Sequence, residues 1–122
     1  MLLHIAHRAE WAQALEVGRY EAASLSSDGF IHCSTPAQLL IPANTIYRGQ
    51  RDLVLLCMDP ALISAPIVYE DCYESGHEFP HIYGPINLEA VLQVLEFPPN
   101  ADGSFSLPAG IAADEGVSSS AD

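Results

Sequence analysis

The sequence predicts an α+β domain: a small, mostly antiparallel or mixed sheet with two main helical segments. Three observations carry that expectation. Short apolar runs of β character recur along the chain, and only two stretches show helical spacing. The two do not alternate with the regularity that a doubly wound parallel sheet requires.

Leu2 to Ala6 reads as a first strand. Arg8 to Val17 follows with Trp11, Ala14 and Leu15 at helical spacing, and Gly18 marks its end. Asp28-Gly29 signals a turn into a short strand, Phe30 to Cys33. Ser34-Thr35-Pro36 offers a hydroxyl cap and a first-turn proline for a second helix running to Tyr47, with Gly49 as its stop. Pro42 inside that helix predicts a kink, or two shorter helices, near Ile41. Leu53 to Met58 is the most apolar run and is expected at the centre of the sheet, ended by Asp59-Pro60. Ile67 to Asp71 and Ile82 to Ile86 are further strands joined by an acidic segment. Asn87 caps a short turn before a last strand, Val91 to Phe97, and Asn100 to Gly103 turns a terminal hairpin through Phe105 and Leu107.

A length of 122 residues is enough for one core, so residues 1–108 are expected to form a single domain. Residues 109–122, rich in serine, small residues and acids, are expected to be a disordered acidic tail. Apolar residues make up 49% and charged ones 16%, an ordinary globular balance. No apolar run is long enough for a membrane-spanning helix, and the first residues carry no basic leader ahead of an apolar block. Cys33, Cys57 and Cys72 are an odd set that fits neither a disulfide framework nor a paired zinc motif, so reduced thiols and a cytoplasmic location are expected. The formal charge is −12, and four arginines with no lysine stand against sixteen acids, which disfavours a nucleic-acid partner.

Three side-chain patterns could carry chemistry. His77-Glu78-Phe79-Pro80-His81 matches the letters of a helical zinc-protease signature, but Pro80 breaks the helix that would put both imidazoles on one face, so no metal site is expected from it. The acids Glu70, Asp71, Glu74 and Glu78 are read as a solvated acidic loop. His32 and Ser34 lie one strand repeat apart, after a glycine turn and before a helix start, a corner that can present polar groups to a ligand. The plainer reading has Ser34 capping the helix and His32 bonded in the core. Glu70, His81 and Tyr83 converge only if their strands pair; the carboxylate would then fix the tautomer of the imidazole. Glycine-rich phosphate loops, Rossmann fingerprints, nucleophile elbows and EF-hands are absent from the sequence.

Asp28-Gly29-Phe30-Ile31-His32-Cys33-Ser34-Thr35 and Phe79-Pro80-His81-Ile82-Tyr83-Gly84-Pro85-Ile86 resemble the blocks of a bacterial and plant family called domain of unknown function 952. The order of elements between them resembles it too, over roughly residues 2 to 107. The resemblance implies an ADP-ribosyltransferase-like fold, a small bent sheet with helices at its sides that often holds NAD in a cleft, and by fold analogy alone NAD is the cofactor to consider. It points to His32, His81 and Glu70 as catalytic candidates and to Ser34 and Tyr83 as ligand-binding ones. His4 invites comparison with a first-strand ligand-binding histidine of such folds.

Two function classes follow. One is a domain that binds a small polar metabolite or a nucleotide in a cleft lined by two histidines, with group transfer as the reaction if there is one. The other is a non-catalytic acidic module for a protein partner. The first requires His32 and His81 to open on one cavity; the second leaves each satisfied in its own surroundings.

Overall fold

The fold was taken from a computed structural model, which describes residues 1–72 and 74–111. It is α+β, with eight strands, three α-helices and two short 3-10 turns among those residues. Every strand pair is antiparallel.

The first sheet has the order β1-β4-β8, from Leu2–His7, Leu53–Met58 and Val91–Glu96. β4 is central, as its continuous apolar run predicts, and all six of its residues are buried. The reason is that both faces are covered. Val54, Leu56 and Met58 join Leu2 and Ala6 in one core cluster, while Leu53, Leu55 and Cys57 join Leu3 and Ile5 in another. Helix α1 (Arg8–Val17) packs Ala14 and Trp11 on the first cluster. The Glu10 carboxylate accepts from the His7 backbone N–H at 3.1 Å, and Gly18 closes the helix in the left-handed region at φ 100°.

Where one bent sheet was expected, the ladders form three small sheets. β2 (Arg19–Tyr20) pairs with β7 (Ile86–Asn87) in a two-stranded ladder too short to leave a sequence pattern. A short helix α2 (Ala23–Ser27) that the sequence reading missed leads to the Asp28-Gly29 turn. The third sheet runs β3-β6-β5, from Ile31–His32, Phe79–Ile82 and Ile67–Glu70.

Four expectations need correction. The strand expected over Ile82 to Ile86 lies earlier, over Phe79–Ile82: Gly84-Pro85 interrupts the ladder after it, and Pro80 is carried inside the strand with its carbonyl accepting from the Cys33 N–H. Tyr83 is therefore just past the strand end, its N–H donating to the Pro66 carbonyl at 2.9 Å. The second helix does not begin at Ser34: residues 35–39 form turns, and α3 spans Leu40–Ile46. Pro42 then sits in the first helical turn, where its missing N–H has no intrahelical partner to lose, and no kink is needed. The turn at Asn100 to Gly103 forms, but no strands flank it. Ile111 is buried in the second core cluster, and residues 112–122 of the expected tail lie outside the described residues.

The segment Ile31–Ser34 joins two sheets. Ile31 and His32 pair with Ile82 and His81, and the Cys33 N–H donates to the Pro80 carbonyl at 3.0 Å. One residue later Ser34 exchanges two backbone bonds of 2.8 Å with Leu3 of β1. This crossing brings β1, β3 and β6 around one hollow.

Candidate functional site

That hollow is a cavity of about 360 Å³. His4, His32, Ser34 and His81 supply polar groups to its wall, and Leu3, Ile5, Ile41, Pro42, Ile46 and Phe79 supply apolar surface. The two histidines that the sequence reading placed far apart thus line one space.

His32 and His81 face each other across the β3–β6 ladder, with ring centroids 5.2 Å apart at 78°. His81 is 1% exposed. Its Nδ1 lies 2.8 Å from Glu70 Oε2, on the neighbouring strand β5, where Val68 is the direct partner of His81 and Glu70 stands diagonally across. The Tyr83 hydroxyl donates to the same carboxylate oxygen. Those bonds hold the Glu70 carboxyl below its ordinary value, Tyr83 first and His81 second, and push the Tyr83 hydroxyl up to about 12. A carboxylate at Nδ1 selects the Nδ1–H tautomer, which leaves Nε2 as an acceptor. Nε2 makes no hydrogen bond among the described residues, and His81 lines the cavity. Ser34 Oγ is in the same position: the side chain is buried, unbonded within the described residues, and borders the cavity. It does not cap α3, whose N-cap is Leu39.

Phe30 braces this arrangement. Its ring stacks on His81 at 4.0 Å and 17° and meets His32 edge-on at 4.8 Å. His32 Nε2 is 2.9 Å from Asp28 Oδ2, a bond that lowers the Asp28 carboxyl. Glu70 and Tyr83 stand behind His81 and do not line the cavity.

Three participants escaped the sequence reading or were given little weight. Phe30 read only as a strand residue. His4 donates from Nδ1 to the His32 carbonyl at 2.6 Å and accepts at Nε2 from the Tyr20 hydroxyl at 2.8 Å; burial lowers it to about 4, so it is neutral near pH 7. Cys72, read as an unremarkable thiol, has its Sγ 3.8 Å from His81 Nδ1. Cys33 and Cys57 are buried apolar thiols, as expected.

The family model described as "Protein of unknown function (DUF952)" matches residues 5–94. The chain belongs to this family. Its matched span includes every residue of the site named above except Leu3 and His4. Solved structures agree with that assignment. The crystal structure of protein CC0527 from Caulobacter crescentus is 34% identical, with a TM-score of 0.79, covering 87% of this chain and 93% of that one. The crystal structure of a double mutant of the same protein gives 34% and 0.78 over the same shares. Its solution NMR structure gives 33% identity and a TM-score of 0.70, over 87% of this chain and 91% of that one. A search of curated proteins finds no match. Among the described residues no helix is long and apolar enough to cross a membrane.

Proposed function

We propose that this chain binds a small molecule in the cavity between β1, β3, β6 and α3, with His81 Nε2 and Ser34 Oγ as the groups that recognise it. The observation that carries the reading is that Ser34 and His81, two buried polar residues whose Oγ and Nε2 make no hydrogen bond among the described residues, line the same cavity. Few convergent polar groups in an apolar wall are what a ligand pocket needs, and about 360 Å³ is near the small end of the usual range of about 300–1,000 Å³.

The lining favours a ligand with a flat or apolar body and one or two hydrogen-bonding edges. No arginine lines the cavity, so a pyrophosphate would find no cationic fork there. If the fold is ADP-ribosyltransferase-like, the part of a nucleotide such as NAD that enters is the base or ribose, and the phosphates stay in solvent. Group transfer would then use His81 Nε2 as the base, its imidazolium stabilised by Glu70 at Nδ1. The acidic interaction module leaves the unbonded Nε2 and Oγ without a purpose.

The test is a thermal-shift screen of nucleobases, nucleosides and nucleotides, with NAD and ADP-ribose among them. A ligand at 100 times its dissociation constant adds about 2.7 kcal/mol. The expected hit loses its shift in Ser34→Ala and His81→Ala. A shift that survives both substitutions, or a screen in which no such compound stabilises the protein, overturns the proposal.

A further inference from the structure

A second set of side chains lies on the other side of His81 from the ligand groups. Glu70 ends β5, Cys72 lies two residues on, and His81 belongs to β6, so the β5–β6 pairing brings a carboxylate, a thiol and an imidazole together. One ligand atom from each lies within 4.8 Å of the others. We propose that Glu70, Cys72 and His81 form a three-ligand site for a single divalent ion of the zinc class.

The donor set argues for that ion. Thiolate and imidazole favour zinc over magnesium or calcium, and three protein ligands with a fourth position left to water are the usual number for a zinc ion that acts on a substrate. The spacing is close to what coordination needs. Bonds of about 2.3 Å to sulfur and about 2.0 Å to nitrogen put tetrahedral S and N ligands about 3.5 Å apart. Cys72 Sγ and His81 Nδ1 are 3.8 Å apart already. The 2.8 Å contact between Glu70 and His81 has to open to admit the ion.

The surroundings suit a metal as well. His81 is locked by the stacked Phe30 ring, and the Tyr83 hydroxyl holds the Glu70 carboxylate, the kind of outer contact that orients a metal ligand. Cys72 is exposed, which gives the ion an entry path. Asp28, Asp71 and Glu70 place negative charge around the sulfur, which attracts a cation. One thiolate and one carboxylate balance the two positive charges of the ion.

The proton balance is simple. Cys72 releases its S–H proton to solvent as the S–metal bond forms. The Nδ1 proton of His81 leaves for solvent while Nε2 takes one up, so the imidazole stays neutral and turns a donor toward the cavity. The site is not the one written in His77-Glu78-Phe79-Pro80-His81; it keeps only the last of those histidines.

The inference shares His81 with the ligand reading but does not require the cavity to bind anything. Titration of the intact chain with Zn²⁺ and Co²⁺ tests it. The expected result is one equivalent bound, with a cobalt–thiolate charge-transfer band in the near ultraviolet. Cys72→Ser abolishes the band and weakens Zn²⁺ binding at least about tenfold, while Glu70→Gln weakens binding and keeps the band. His77→Ala leaves both unchanged. Circular dichroism checks that each variant is folded. Absence of a thiolate band in the native chain, or unchanged Zn²⁺ binding in Cys72→Ser, overturns the site. The nucleoside thermal shift is measured on Cys72→Ser in parallel, since that residue does not line the cavity, so failure of one reading is seen separately from failure of the other.

Discussion

His32 and His81 stand directly opposite each other on paired strands, yet each is held by a different carboxylate, Asp28 for His32 and Glu70 for His81. His81 is buried and tied at Nδ1, whereas His32 is partly exposed and tied at Nε2. One ladder position therefore presents two imidazoles anchored through different ring nitrogens.

The metal-free protein should hold His81 in the Nδ1–H tautomer at neutral pH. Long-range nitrogen–proton NMR correlations read this directly, with Nε2 at the shift of an unprotonated nitrogen. Glu70→Ala removes the acceptor and should shift the population toward Nε2–H. A native His81 already protonated at Nε2 would refute the assignment.

Stability should fall as pH is lowered from about 6.5 to about 4, because His4 in the folded chain sits near 4 while the unfolded group titrates at 6.5. The sign follows from proton uptake: in that window the unfolded chain binds a proton that the folded chain refuses. The loss is complete below the folded value and amounts to about 3 kcal/mol for a gap of this size. His4→Gln keeps a donor and an acceptor toward the His32 carbonyl and the Tyr20 hydroxyl but cannot titrate. Urea denaturation at pH 7, 5.5 and 4 should show a flatter profile for His4→Gln. Carboxylates such as Asp28 and Glu70, whose values are lowered, act in the same direction in both proteins and cancel in the comparison.

Gly84→Ala should destabilise the fold by steric contact. A Cβ at this position would lie 2.9 Å from the Ala65 Cβ, closer than such carbons approach. Overpacking of this kind costs about 1–3 kcal/mol. Ala65→Gly introduced alongside should recover much of it, and a double-mutant cycle in urea measures the coupling. Additive effects would show that the loss comes from elsewhere.

Leu56→Ala should cost about 2–5 kcal/mol, since Leu56 is fully buried at the centre of the first sheet and packs in the core cluster that also holds Ile31 and Ile82. Equilibrium denaturation checks it. A loss under 1 kcal/mol would mean that β4 is less tightly packed than its burial indicates.

What could be read from the sequence depended on how far each element reports its own surroundings. β4 was legible because a strand covered on both faces must be apolar at every position, and α1 because Gly18 and the Trp11, Ala14, Leu15 spacing bound it at both ends. β2 and β7 have two residues each, below any period, and α2 packs only the half-buried Leu25 on the core, too little to mark a face. The start of α3 was misplaced because Ser34 looks like a cap, while the backbone of that residue is taken by Leu3 of β1, a partner 31 positions away. His32, His81 and Tyr83 were singled out because they lie in dense local motifs, and Glu70 entered only on the condition that its strand pairs with the one carrying His81. Cys72 and Phe30 were missed as participants because their roles exist only once β5, β6 and β3 are side by side.

The passage of Ile31–Ser34 from one ladder to the next has a mechanical side. Two neighbouring peptide units are shared as fastenings: one belongs to the third sheet and the next to the first. The spacing between the β1 wall and the β6 wall is thus set by a span of a single residue, too short to stretch. Slack at Cys33 or Ser34 would be felt in both walls together, and their amides would exchange in concert.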